Sequence, residues 1–79
     1  MEIKYSKQAL KFLAGQDVFM RQRVIRAIER LPLGDVVKLQ NVRGYRLRVG
    51  DCRVIFDRDG HVLYIEKIDT RGEVYKRRR

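Results

Sequence analysis

The chain predicts an α+β domain built from a short first strand, a two-helix hairpin and then an antiparallel sheet of three to four strands. Three observations support that expectation. Residues 44–56 read GYRLRVGDCRVIF, with apolar and polar side chains alternating on both sides of Gly50-Asp51. That is the pattern of two strands joined by a two-residue turn that opens on glycine. Residues 7–31 instead carry apolar side chains at helical spacing, broken once at Gly15-Gln16-Asp17. The helical stretch precedes the run of strands rather than alternating with it, so the helices pack together on one sheet face.

Taken in order, residues 2–5 form the first strand. Ser6 caps a helix over 7–14, which Gly15 stops. Ala9, Leu10 and Leu13 mark its buried stripe, with Phe12 at the margin. Asp17 caps a second helix over 18–31, in which Val24, Ile28 and Leu31 point inward and Arg21, Arg23, Arg26 and Arg30 point mainly elsewhere. Pro32 and Gly34 end it. Residues 33–43 are a connection pinned to the core by Val36, Val37 and Leu39. After the 44–56 hairpin, an Asp59-Gly60 turn leads into a strand over 61–68. That turn pairs Phe56 with Leu63 and Val54 with Ile65, and puts Glu66 opposite Arg53. Residues 69–72 form a loop, 73–75 return as a short strand, and Lys76 to Arg79 is a basic tail.

Seventy-nine residues without a repeat or a linker make one domain, 1–79. A chain of this size buries only about 60 % of its unfolded surface, so a binding partner adds usefully to its stability. Its net charge of +9 favours nucleic acid or an acidic protein as that partner. A membrane is not expected, because no apolar run approaches the roughly 20 residues of a spanning helix and MEIKYS lacks the features of a signal peptide. The single cysteine, Cys52, has no internal disulfide partner, which fits a reducing cytoplasm, and it belongs to the core face as an inert thiol. One Cys and one His do not make an ordinary structural zinc site, and neither metal nor cofactor is expected. His61 falls beside a turn, in solvent.

The Gly50-Asp51 turn places Val49 against Cys52, Arg48 against Arg53 and Leu47 against Val54. Tyr45, Leu47, Val49, Cys52, Val54 and Phe56 then share one face, and Arg46, Arg48 and Arg53 share the other. Like charges directly opposite destabilise a sheet. Either an anion lies between Arg48 and Arg53, for which guanidinium groups suit phosphate, or the face is simply solvated. The chain has no phosphate-binding glycine loop, no paired-carboxylate motif and no nucleophile with a histidine base. What it has is Arg46, Arg48, Arg53 and Arg71, with Tyr75 near the C-terminus. Such a cluster can hold a nucleic-acid backbone, or stabilise the charge that develops on a phosphate during in-line transfer. RNA supplies its own nucleophile, the 2′-hydroxyl, so cleavage needs orientation, a proton acceptor and donor and charge stabilisation, without a metal.

Four segments, YSKQALKFLAGQD, AIERLPLGDVVKLQN, GYRLRVGDCRVIF and TRGEVYKR, resemble in order and spacing the RelE family of toxins from bacterial and archaeal toxin–antitoxin modules. The resemblance runs over essentially the whole chain. It implies a compact sheet with two N-terminal helices, and an endonuclease that cuts mRNA in the ribosomal A site. It implies a cognate antitoxin as partner, and an active site that falls on Arg46, Arg48, Arg53, Arg71 and Tyr75. The best-known pattern of the family has lysines where this chain has Arg46 and Arg48, and many relatives have a histidine where it has Thr70. Arginine stays protonated and is a poor base. Tyr75 is therefore the first candidate for the proton acceptor and Glu66 the second. Two further readings are a ParE-like inhibitor of DNA gyrase on the same fold, which normally has a longer helical hairpin, and a basic module that only binds ribosome or antitoxin.

Overall fold

A computed structural model describes residues 2–70. The elements are β1 (Glu2–Tyr5), α1 (Lys7–Ala14), α2 (Val18–Glu29), β2 (Asp35–Lys38), β3 (Tyr45–Val49), β4 (Cys52–Asp59) and β5 (Val62–Thr70). The five strands form one sheet in the order β1-β5-β4-β3-β2. The α+β architecture is as expected, with two corrections. There are more strands than three to four, because residues 35–38 of the connection pair with β3 as an edge strand. The sheet is also mixed, because β1 runs parallel to β5.

Both helix starts follow from their caps. The Ser6 hydroxyl accepts from the Ala9 amide at 3.0 Å, and the Asp17 carboxylate from the Met20 amide at 2.8 Å. The second helix ends at Glu29 rather than Leu31, with Arg30 as its C-cap, although Leu31 still packs against the core. Arg21 holds the hairpin closed: its guanidinium donates to the Leu13 and Gln16 carbonyls, at 3.0 and 2.8 Å, past the last turn of α1.

The core lies between the helices and one sheet face. Ala9, Leu13, Val24 and Ile28 meet Leu47, Val49, Cys52, Val54, Phe56, Leu63, Ile65 and Ile68. Tyr45 stacks on Phe56 at 5.4 Å. Cys52 is buried with its Sγ 3.7 Å from the Met20 Sδ, and His61 is exposed, both as expected. Leu10 is not in the stripe but 54 % exposed, and Val37 is exposed as well, because its edge strand turns that side chain away from the helices.

The β4–β5 register differs from the expectation. The turn is Gly60-His61, with φ +61 at Gly60, while Asp59 stays in the strand opposite Val62. Phe56 therefore pairs with Ile65, not Leu63. Next to that pair the register shifts: Ile55 faces Lys67, so Glu66 is an extra residue, a β-bulge. The bulge keeps Ile68 on the core face, opposite Val54; strict alternation would have put Lys67 there. Asp69 and Thr70 belong to β5 rather than to a loop.

Beyond Tyr5 the outer edge of β5 has lost its partner strand, and α1 takes over its backbone. The Ser6 hydroxyl donates to the Glu66 carbonyl at 2.8 Å. The Gln8 amide donates to the Ile68 carbonyl at 2.8 Å and accepts from the Ile68 amide at 2.9 Å. Ile68→Ala is expected to destabilise the domain by about 2–5 kcal/mol. Leu10→Ala should stay within about 0.5 kcal/mol. Urea denaturation of both variants checks this, and equal losses would show that the core boundary is drawn wrongly.

Candidate functional site

The face of the sheet opposite the helices carries the expected arginines. Gly50, at φ +59, occupies the first central position of its hairpin turn, where a left-handed backbone is required. Val49 pairs with Cys52, Arg48 with Arg53 and Leu47 with Val54. Because directly opposite residues share a face, registers across four strands define two rows. The first is Asp35, Arg48, Arg53 and Asp69; the second is Val37, Arg46, Ile55 and Lys67.

The first row changes the reading of the like-charged pair. Arg53 does have an anion, but it is internal. Its Nη2 lies 3.0 Å and its Nε 3.3 Å from the two Asp69 carboxylate oxygens, and both side chains are partly buried. Glu66, expected opposite Arg53, sits at the bulge instead. With two arginines and two aspartates the row is formally neutral. The two pairing positions without a compensating acid are Arg46 and Lys67, in the second row. Among the described residues, Arg46 and Arg48 take part in no ion pair, and the buried Nε of Arg46 has no hydrogen-bond partner. A buried guanidinium N–H without an acceptor is costly.

Arg53 is committed but not used up. A guanidinium has five N–H donors, and the fork to Asp69 uses two, at Nε and Nη2. Among the described residues nothing takes the remaining donors, and Asp69 fixes the plane of the group. Such anchoring preorganises the guanidinium itself, with its plane fixed before any ligand binds.

Neither a protein-family model nor a curated protein matches the chain. Solved structures do. The RelE-RelB complex from Pyrococcus horikoshii OT3 contains a chain 30 % identical to this one, superposing with a TM-score of 0.73 over 90 % of this chain and 94 % of that one. The RelB-RelE antitoxin-toxin complex from Methanococcus jannaschii matches at 23 % identity and a TM-score of 0.72, over 94 % and 96 % of the two chains. The chain belongs to the RelE family.

Of the RelE site residues expected from the sequence, Arg46, Arg48 and Arg53 lie together on the open face. Arg71 and Tyr75 lie outside the described residues. Tyr5 is no substitute as a proton acceptor: burial, and secondarily the Glu29 charge, push its phenol up from the ordinary value, and its side chain packs against the core. Three residues of this face escaped the sequence reading. Asp69 and Lys67 were missed because they depend on the bulge, whose signal is the broken alternation in YIEKID. Tyr64 is exposed between Asp57 and Lys4, an aromatic surface of the kind on which an RNA base stacks.

Removing Asp69 should release one positive charge to an RNA ligand. For Asp69→Ala, the log–log salt dependence of binding to a single-stranded RNA probe is expected to steepen by about 0.7. Fluorescence anisotropy across a salt series measures it, and an unchanged slope would show that Arg53 does not meet the RNA backbone.

Proposed function

We propose that this RelE-family chain is the toxin of a type II toxin–antitoxin system and cleaves mRNA in the ribosomal A site, so that translation stops. The arginine face carries this reading: a RelE fold in which none of the described residues covers one sheet surface, and Arg46, Arg48 and Arg53 lie on it. In this mechanism the 2′-oxygen attacks the adjacent phosphorus and the bond to the 5′-oxygen breaks. The products are a 2′,3′-cyclic phosphate and a 5′-hydroxyl. The proton of the 2′-hydroxyl passes to an acceptor, and another proton reaches the leaving oxygen.

Arg53 is the main ligand of the scissile phosphate and stabilises its developing charge, aligned by Asp69. Arg46 and Arg48 orient the RNA backbone. Arg71 is a second stabiliser or leaving-group contact, and Tyr75 is the proton acceptor. The reaction is metal-independent, and its place is the cytoplasm with the ribosomes. Among the described residues no helix is long and apolar enough to cross a membrane. The partner is a cognate antitoxin; the solved RelE chains are held in complexes with RelB.

One observation favours a second reading, a basic module that binds ribosome or antitoxin with little catalysis: the neutral Asp35-Arg48-Arg53-Asp69 row lowers the positive potential where the phosphate would sit. Expression without antitoxin separates the two. Arg53→Ala and Tyr75→Phe should each relieve growth arrest. Arrest that persists in both variants would remove these residues from the site. If arrest comes with loss of gyrase supercoiling rather than of translation, the chain acts as a ParE-like inhibitor.

A further inference from the structure

Among the described residues the sheet has two edges, β1 and β2, and they differ. At β2 the Leu39 amide bonds to the Gly44 carbonyl at 3.0 Å, so alternate residues face β3 and the backbone of Val36 and Lys38 faces outward. The Val36 amide is already taken by the Gly34 carbonyl at 3.1 Å, and the exposed Lys38 puts a charge at the rim without an ion pair among the described residues. At β1 the Glu2 and Ser6 amides bond to the His61 and Ile65 carbonyls, both at 2.9 Å. Alternate residues therefore face β5, and the amides and carbonyls of Ile3 and Tyr5 face outward. Among the described residues nothing pairs with that side of β1. Ile3 and Tyr5 pack their side chains against the core, while the exposed Glu2 and Lys4 lie on the opposite face, 4.0 Å apart. This edge offers its amides, and its two charges have opposite signs.

We infer that β1 pairs with β1 of a second copy of this chain, antiparallel about Ile3, so that the two sheets join into one. Backbone and charge select that register together. A two-fold axis through the pair lets Ile3 and the second copy's Ile3 exchange both N–H···O=C bonds. It also sets Glu2 opposite the second copy's Lys4, and Lys4 opposite its Glu2, as cross-strand ion pairs. Centring one residue later, on Lys4, would use the same outward groups but oppose lysine to lysine. Because the axis is perpendicular to the sheet, the helices of both copies lie on one side and both arginine faces on the other. β1 becomes an interior strand in each copy and the guarded β2 is the edge that remains, so assembly stops at the dimer. Strand addition draws its affinity from main-chain bonds, and a strand of 4 residues supplies few, so the dimer is weak and forms at high concentration. The inference rests on β1 alone and on no reading of the activity.

Sedimentation velocity of the full chain, from roughly 10 μM to roughly 1 mM, tests it. The native chain should pass from monomer to dimer and no further. Glu2→Lys and Lys4→Glu should each weaken the dimer by roughly tenfold, because each sets like charges opposite. Combining the two swaps the charges and should bring association back to within about twofold of native. Lys4→Glu lowers the net charge, so general repulsion between basic chains would make it associate more strongly, not less. Backbone amide shifts give a second readout that needs no variant: with rising concentration the Ile3 and Tyr5 amides should move, and those of Val36 and Lys38 should not. A chain that stays monomeric at the highest concentration, or shifts centred on β2, would overturn the inference. So would single variants that associate as the native chain does, or a folded double variant that fails to recover.

Discussion

The side-chain parity of the β3–β4 hairpin is the constraint on which the rest of the molecule depends. The turn at Gly50 commits Leu47, Val49, Cys52, Val54 and Phe56 to the helices and, with no freedom left, Arg46, Arg48 and Arg53 to the opposite face. The magnitudes show why that arrangement holds. Fully burying a large aliphatic or aromatic side chain is worth about 1.5–3 kcal/mol. A directly opposed cross-strand pair contributes only about 0.2–1 kcal/mol in either direction. The core therefore enforces the Arg48–Arg53 juxtaposition, and the charges must adapt to it.

They adapt through β5. The extra residue at Glu66 keeps Ile68 in the core and brings Asp69 opposite Arg53. One bulge thus serves packing on one face and electrostatics on the other. Gln8 and Ser6 of α1 satisfy the backbone of that same stretch, so the helix layer holds in place the strand that orients Arg53. The positive charge is unevenly committed among the arginines. Arg21 is a helix cap, Arg43 is paired with Asp57 and Arg53 with Asp69, while Arg46 and Arg48 on the sheet and Arg23, Arg26 and Arg30 on α2 make no ion pair among the described residues.

Much of this was legible in the sequence, and where it was not the reason is physical. Ser6 and Asp17 announce the helix starts because a cap is a local interaction. GYRLRVGDCRVIF announces its register because a two-residue turn leaves one pairing available. The β4–β5 register was not legible: RDGH accommodates a turn at Asp59-Gly60 or at Gly60-His61, and both keep the same faces, so hydrophobic pattern cannot choose between them. The edge strand β2 was hidden because Val37 faces outward, and the parallel β1–β5 pairing because it joins segments far apart in the chain. The site was legible as a set of arginines on one face, but Asp69, Lys67 and Tyr64 required the register.

The central claim is that the open arginine face places a phosphate of ribosome-bound mRNA for attack by its own 2′-hydroxyl. Primer extension on mRNA held by isolated ribosomes tests it most directly. The account predicts new 5′ ends at A-site codons with the native chain, abolished by Arg53→Ala, and none on the same mRNA without ribosomes. Equal cutting by the native chain and by Arg53→Ala, or no cutting on ribosomes at all, would contradict it.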